Sequence, residues 1–241
     1  CQATTTVTIG EPSAMALSST AVDENCGQCN GSVTVSVTGG MNPYSYAWSG
    51  AASGQTTNTA SGLCTGSYTV TVTDINSCTA TISDVVSNIP AGTASISSYQ
   101  DISCFGTCDG QATASIGGGS SPYSYLWSAS AGSQTTAIAT NLCQGTHTVS
   151  ITDNDGCEVT TTVTISEHTQ LLATTSVDHL TCYNVCDGTV TANPTGGTTP
   201  YTYAWNGMLD DTQTIIDLCP GTYTATVTDD NGCTVSVSET V

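Results

Sequence analysis

Alternating apolar and polar residues make up most of this chain. Val33, Val35 and Val37, for example, alternate with Thr34 and Ser36. Successive side chains of a β-strand point to opposite faces, so this period of two predicts half-buried strands. Turn signals such as Cys-Asp-Gly and Asp-Asn-Gly separate the runs. In the middle third of the chain the pattern predicts six strands, at about 94–102, 110–117, 122–128, 133–140, 145–152 and 157–166.

One aromatic motif, Gly-Gly-x-x-Pro-Tyr-x-Tyr-x-Trp, occurs three times, at residues 39–48, 118–127 and 196–205. Its two Tyr residues and its Trp fall on one face of a strand. A large aromatic residue on the third strand belongs in the interior of an immunoglobulin-like sandwich. We therefore predict that the three tryptophans are core residues: Trp48, Trp127 and Trp205.

Equivalent cysteines recur every 76 to 79 residues, at Cys1, Cys78, Cys157 and Cys233. A period this long indicates one small domain per repeat rather than one turn of a helical solenoid. The predicted fold is all-β: tandem immunoglobulin-like β-sandwich modules, arranged end to end and stapled by disulfides. The predicted modules span residues 12–89, 90–168 and 169–241.

The first residues of the chain match the end of a module. Residues 1–9 align with 157–165 and 233–241, so residues 1–11 are predicted to be the last strand of a preceding module. One interpretation is a window from a longer array. The alternative is a subunit whose N-terminal strand completes the sheet of a neighbour by strand addition.

A second motif, Leu-Cys-x-Gly-x-Tyr, has the spacing of a tyrosine corner, in which a Tyr hydroxyl bonds back to the backbone near the penultimate strand. Tyr68 and Tyr223 occupy the Tyr position and are predicted core aromatic residues, whereas the middle repeat has His147 there. We expect the imidazole of His147 to replace the phenol ring structurally.

These motifs, followed by Val-x-Val-Thr-Asp-x-x-Gly-Cys, resemble the SprB repeat of giant cell-surface adhesins of Bacteroidota and, more loosely, PKD-type sandwich modules. The similarity covers essentially the whole chain, three times over. It implies export by type IX secretion, display at the cell surface, and a role in attachment or gliding motility. The family offers no catalytic residues to transfer. Two departures are Ile75-Asn76-Ser77, which lacks the usual turn glycine, and His147.

Thirteen cysteines indicate an oxidising compartment, because domains this small usually need disulfides to supplement their core. In each module the third and fourth cysteines flank one extended strand and lie over ~20 Å apart, which excludes that pair. The loops before the second strand and before the Tyr-bearing strand lie at the same end of a sandwich. We therefore pair the second and third cysteines: Cys29–Cys64, Cys108–Cys143 and Cys186–Cys219.

The first and fourth cysteines remain, and within modules they give Cys26–Cys78, Cys104–Cys157 and Cys182–Cys233. Many repeats of the resembled family keep only these two cysteines, which supports pairing them. In simple sandwich topology, however, they lie at opposite ends, so a bridge to a neighbouring module stays open. In either version the partner of Cys1 would lie in missing sequence. Zinc binding by the Cys-x2-Cys motif is the less favoured interpretation, because the third and fourth cysteines of each module are not spaced as in a zinc knuckle.

Charge excludes several kinds of partner. The chain has no Lys or Arg and 19 acidic residues, so its formal charge is −19. Without cations it cannot neutralise the phosphates of nucleic acid or bind anionic membrane surfaces. No apolar run approaches the ~20 residues of a membrane helix, and no signal peptide is present. We therefore expect an extracellular or cell-surface location for mature or internal sequence.

Chemical sites are scarce. No catalytic residue is predicted, because His147, His168 and His179 do not recur at equivalent positions. The weak calcium candidates are acidic turn residues, Asp153, Asp155, Asp229 and Asp230, for which a purely structural turn role is favoured.

The leading functional interpretation is a structural or adhesive repeat array of a long extracellular filament. Its partners would be like modules, neighbouring subunits, or surfaces and glycans. One alternative is a glycan-binding module array, which exposed tryptophans would favour. The other is a calcium-rigidified spacer.

Overall fold

The computed structural model describes residues 2–7, 10–183, 185–208 and 210–241. The regular structure of these residues consists of β-strands and two single-turn 3-10 helices, Gly50–Ala52 and Ala129–Ala131. The all-β prediction is confirmed. Contacts group the chain into two compact units. The first unit consists of Cys1–Thr93, Gly117–Tyr123 and Thr152–Val159, and the second of Ala94–Ile116, Ser124–Ile151 and Thr160–Val241.

The same series of strands occurs three times. In the first repeat the strands are β1 (Ala16–Val22), β2 (Glu24–Asn25), β3 (Gly31–Thr38), β4 (Ser45–Trp48), β5 (Thr59–Leu63), β6 (Gly66–Thr73), β7 (Thr79–Val86) and β8 (Asn88–Ile89). In the second they are β9 (Thr93–Gln100), β10 (Gly110–Gly117), β11 (Ser124–Trp127), β12 (Ile138–Leu142), β13 (Gly145–Thr152) and β14 (Glu158–Ile165). In the third they are β15 (Leu172–Asp178), β16 (Gly188–Thr195), β17 (Thr202–Trp205), β18 (Thr214–Leu218), β19 (Thr222–Thr228) and β20 (Thr234–Thr240).

Each repeat forms two three-stranded sheets. Their strand orders are β1-β3-β5 with β4-β6-β7, then β12-β10-β9 with β11-β13-β14, then β15-β16-β18 with β17-β19-β20. In the first and third repeats every pairing within these sheets is antiparallel. The short strands β2 and β8 add one parallel pairing.

The two sheets of a repeat share one core. In the first repeat Val33 and Val35 from one sheet meet Trp48, Val70 and Val72 from the other, all buried. The intervening Thr residues of β6 are only half-buried. This is the alternation that the period-two pattern predicted, and it confirms immunoglobulin-like sandwich packing.

One predicted strand lies elsewhere. The sequence predicted a strand at 133–140, but β12 begins at Ile138. Trp127 holds the preceding segment in a turn: its backbone N–H donates to the Gln134 carbonyl (2.9 Å), and its indole N–H donates to the Thr136 carbonyl (3.0 Å). Ser133 also has a positive φ of 51°, which a strand does not allow.

The described part of the N-terminal segment lies outside the β-strands. Residues 2–7 belong to no strand, because none of the strands in the described ranges pairs with them. Residues 1, 8 and 9 lie outside those ranges. The proposed module boundaries, and the assignment of residues 1–11 to a preceding module, stay predictions.

Candidate functional site

The three motif tryptophans are buried, with exposed fractions of 5%, 1% and 4% for Trp48, Trp127 and Trp205. The indole N–H of each donates to a backbone carbonyl of the following loop. The acceptors are Thr57 (2.9 Å), Thr136 (3.0 Å) and Thr212 (2.9 Å). A buried indole anchors this loop and offers no ring face to a sugar.

The tyrosine corner is present in all three repeats, although one of them uses another residue. The hydroxyl of Tyr68 donates to the Cys64 carbonyl at 2.8 Å, and that of Tyr223 to the Cys219 carbonyl at 2.9 Å. In the middle repeat Nε2 of buried His147 lies 2.9 Å from the Cys143 carbonyl. Because a carbonyl only accepts, Nε2 must carry the proton there. His147 thus takes the structural place of the tyrosine.

The second and third cysteines of each repeat are joined. The disulfides are Cys29–Cys64, Cys108–Cys143 and Cys186–Cys219. Each links the loop before one inner strand to the loop before the Tyr- or His-bearing strand.

The predicted pairs Cys26–Cys78, Cys104–Cys157 and Cys182–Cys233 are wrong. The structure instead joins the first cysteine of one repeat to the fourth cysteine of the next, in Cys26–Cys157 and Cys104–Cys233. Their Cα atoms lie 5.7 and 5.6 Å apart.

Strand length explains why Cys26 does not bond to Cys78. Cys26 lies three residues before Cys29, which is bonded to Cys64. In the first repeat, eight-residue β6 separates the loop of Cys64 from the hairpin that holds Cys78. Such a strand spans about 26 Å, far beyond the ~7 Å that a disulfide allows between Cα atoms. Cys78 and Cys182 are consequently free, and both are exposed. Cys1 lies outside the described residues.

An aspartate closes the turn before each fourth cysteine. Oδ1 of Asp74 accepts the N–H groups of Asn76 and Cys78, both at 2.9 Å, and its Oδ2 accepts that of Met41 at 3.1 Å. Asp153 and Asp229 accept the three corresponding N–H groups. The backbone N–H of the fourth cysteine is the main cause of a lowered pKa for Asp74 and Asp153, against the opposing effect of desolvation.

Glycine is required opposite this aspartate. Gly119 has a φ of 71°, and a Cβ atom there would lie 2.8 Å from Oδ2 of Asp153. The Gly-Gly of the sequence motif is therefore the partner of the Thr-Asp turn, a link between the two motifs that sequence reasoning missed.

The residues proposed as weak calcium ligands make hydrogen bonds at their turns. Both carboxylate oxygens of Asp153 and Asp229 already accept backbone N–H groups, and the Asp155 carboxylate accepts a hydrogen bond from Ser120 Oγ. The backbone N–H of Asp230 donates to the Thr198 carbonyl at 2.9 Å. Calcium binding itself stays a prediction.

A buried carboxylate that sequence reasoning missed lies beside the first disulfide. Glu24, 2% exposed, accepts the N–H groups of Cys29 (2.8 Å) and Thr65 (2.7 Å). Glu24 groups with Cys29 and Cys64 as a possible set of metal ligands, but the two sulfurs are bonded to each other. The corresponding residues of the other repeats are apolar, Ile102 and Leu180. The repeat pattern therefore gave no signal for a carboxylate at this position.

A similar aspartate organises the loop that follows the first cysteine in the later repeats. Asp109 accepts the backbone N–H (2.9 Å) and the hydroxyl (2.5 Å) of Ser103. Asp187 accepts the N–H (3.1 Å) and the hydroxyl of Thr181. The hydroxyl hydrogen bond is the main cause of the lowered pKa of each aspartate.

Three segments of this chain are similar to the SprB repeat. The family model described as SprB repeat matches residues 18–53, 96–132 and 174–209, just under half of the sequence. Each match begins in the first long strand of a repeat and ends just beyond its tryptophan. In the described residues, no helix is long and apolar enough to cross a membrane.

Similar solved structures come from adhesion and recognition proteins. A 282-residue C-terminal fragment of intimin, in complex with the intimin-binding domain of the translocated intimin receptor, shares 13% identity at a TM-score of 0.34, over 68% of this chain and 67% of that one. The N-terminal eight Ig domains of Down Syndrome Cell Adhesion Molecule share 10% identity at a TM-score of 0.32, over 94% and 54%. The cadherin domains 1–4 of protocadherin gamma B7 share 14% identity at 0.28, over 97% and 67%. Scores of this size support no conclusion about a ligand or partner. No curated protein sequence matches the chain.

Proposed function

We propose that this chain is a structural and adhesive repeat array of an extracellular filament or surface adhesin. The observation that supports this most directly is covalent: each of two repeats is joined to the next by a disulfide, Cys26–Cys157 and Cys104–Cys233. Such bonds persist in oxidising surroundings outside the cytoplasm. The matches to the SprB repeat support attachment as the role. The more specific proposal is export by type IX secretion in a member of the Bacteroidota, with a part in gliding motility.

The proposed role is not enzymatic. His147 and the turn aspartates make structural hydrogen bonds, and the tryptophans that a glycan platform would need are buried. The partner of the array would be a surface or a glycan bound through other, exposed residues.

The disulfides give such an array a short covalent path under load. Three of them, Cys26–Cys157, Cys108–Cys143 and Cys104–Cys233, connect short pieces of backbone. The pieces are residues 1–26, 143–157, 104–108 and 233–241. They hold about 55 residues, so the oxidised chain cannot be pulled beyond roughly 200 Å, whereas a reduced chain of this length reaches about 800 Å.

Single-molecule stretching of the chain from its two ends tests this proposal. We expect the oxidised protein to stop below about 200 Å and the reduced protein to extend to about 800 Å. Replacing Cys104 and Cys233 by serine should lengthen the oxidised limit, since it removes a bond on the path. Replacing Cys186 and Cys219 removes a bond that is off the path and should leave the limit unchanged. Equal extension of oxidised and reduced protein would refute a mechanical role for these disulfides.

A further inference from the structure

The two cysteines that are free among the described residues occupy positions that form disulfides in other repeats. Cys78 is the fourth cysteine of its repeat, the position at which Cys157 and Cys233 are bonded. Cys182 is the first cysteine of its repeat, the position of Cys26 and Cys104. Cys78 and Cys182 are therefore opposite halves of the same kind of junction.

The free Cys78 is held as its bonded counterparts are. Its backbone N–H donates to Oδ1 of Asp74 at 2.9 Å, and that of Cys233 donates to Oδ1 of Asp229 at 2.8 Å. The hairpin that positions this cysteine is therefore formed before any partner is bonded to it.

The free Cys182 also sits in a loop of the bonded form. Thr181 bonds to Asp187 through its N–H and its hydroxyl, as Ser103 does to Asp109 beside the bonded Cys104. Neither half needs to refold to reproduce the Cys104–Cys233 junction.

The surroundings of that junction show which other groups meet there. Phe105, next to Cys104, lines a cavity of about 350 Å³ with Gln170, Leu171 and Cys233. The backbone N–H of Gly106 donates to Oε1 of Glu167 at 2.7 Å. The aromatic residue after the first cysteine therefore shares a cavity with Leu171 of the next repeat, and the residue that follows it bonds to the Glu167 carboxylate.

Both halves of this arrangement are present again, without a partner. A groove of about 300 Å³ beside Cys78 is lined by Glu11, Ala14 and Met15, which correspond in sequence to Glu167, Gln170 and Leu171. Tyr183, which corresponds to Phe105, follows Cys182 and is 93% exposed. A groove that contains Met15 and a thiol thus lies in the first repeat, and an exposed aromatic residue with a thiol lies in the third.

The junction between the first two repeats supports this matching of side chains. There the residue after Cys26 is Gly27, and Thr93 stands at the position of Met15 and Leu171. The aromatic residue and the apolar groove residue are thus absent together. This chain has both Met15 and Tyr183. Each therefore matches the other better than it matches the first junction, where Gly27 and Thr93 occupy these positions.

We propose that the groove beside Cys78 binds the Cys182-Tyr183 loop of a second copy of this chain, and that a Cys78–Cys182 disulfide then joins the copies head to tail. Tyr183 would lie against Met15, as Phe105 lies near Leu171. The inference names a partner for the repeat array and rests on that proposed function, but it concerns coupling and not adhesion.

Disulfide formation requires an oxidant, and a small-molecule disulfide such as oxidised glutathione supplies it. One thiolate attacks oxidised glutathione to give a mixed disulfide and one reduced glutathione. The second protein thiolate displaces the remaining glutathione. Two protein thiols and one oxidised glutathione become one protein disulfide and two reduced glutathiones.

The test uses two complementary variants of this chain, both with Cys1→Ser so that Cys1 does not compete. One also carries Cys78→Ser and keeps Cys182; the other carries Cys182→Ser and keeps Cys78. In a glutathione redox buffer we expect each alone to stay monomeric and the equimolar mixture to give a Cys78–Cys182 heterodimer. Non-reducing electrophoresis and peptide mapping measure the product. A mixture that stays monomeric, or variants that dimerise alone as fast as together, would overturn the proposal.

Two further variants test whether docking precedes the bond. Tyr183→Ser should slow heterodimer formation about tenfold, because the thiols are then no longer held at high effective concentration. Tyr99→Ser, which removes another exposed tyrosine, should leave the rate unchanged. Equal rates for the two variants would refute docking through Tyr183. The stretching experiment on a single chain does not depend on these outcomes, so this inference and the proposed function can fail separately.

Discussion

At the scale of single residues, the repeats preserve hydrogen-bond geometry rather than residue identity. His147 replaces a tyrosine and still reaches the carbonyl of the same cysteine, Cys143. The turn aspartates keep identity as well as geometry, because only a carboxylate offers two oxygens that accept three N–H groups at once. Asp153 and Asp229, two of the calcium candidates, accept the backbone N–H groups that fix their hairpins.

Replacing Asp74 by Asn should destabilise the protein and weaken its response to acid. The folded pKa of Asp74 lies below its usual 3.8, so the unfolded chain binds the proton more readily. The stabilisation is therefore complete above about pH 4 and is lost as the pH falls through the folded pKa. Urea unfolding at neutral and acid pH measures this. Asp211→Asn, at an exposed aspartate, is the matched control, and identical behaviour of the two variants would contradict the turn role.

At the scale of elements, the short strand that ends in tryptophan organises each sandwich. Its indole fills the core while its N–H fixes the loop behind it, which is why β12 starts later than the alternation predicts. Leu126, which directly precedes Trp127 on the same strand, points to the opposite face and is 55% exposed. Adjacent positions of one strand therefore have opposite structural importance.

Trp127→Ala should cost roughly 3–5 kcal/mol of unfolding free energy, because it leaves a large cavity and breaks the bond to the Thr136 carbonyl. Leu126→Ala, on the solvent face, should change stability by less than about 0.5 kcal/mol. Chemical denaturation followed by circular dichroism compares the two. Similar losses for both substitutions would mean that the sandwich assignment of this strand is incorrect.

The sequence was sufficient for whatever depends on local pattern. Strand alternation, the core tryptophans, the tyrosine corner and the Cys29–Cys64 type of disulfide all follow from spacing within one repeat. The Cys26–Cys157 type of bond was left open as an alternative to pairing within a module, because a cysteine's partner across repeats depends on how two folded repeats dock. Glu24 was also missed, since a buried carboxylate at an apolar position is recognised only from the two N–H groups it accepts.

At the scale of the whole molecule, the charged side chains repel one another, because nearly all of them are carboxylates. The chain has a formal charge of −19 and no Lys or Arg, so its carboxylates have no Lys or Arg partner for a salt bridge. Mutual repulsion of the carboxylates opposes the compact state, and the disulfides counteract it by restricting the unfolded chain.

Salt should therefore stabilise this protein by screening, whichever ion supplies it. Raising sodium chloride from about 0.01 M to 0.5 M shortens the Debye length from ~30 Å to under ~5 Å, and the melting temperature should rise accordingly. Calcium and magnesium chloride at equal ionic strength should then raise it equally, since Asp153 and Asp229 already use both carboxylate oxygens. Differential scanning calorimetry with both cations decides the matter. A larger rise with calcium, reversed by a chelator, would show a specific calcium site and favour the rigidified spacer over simple screening.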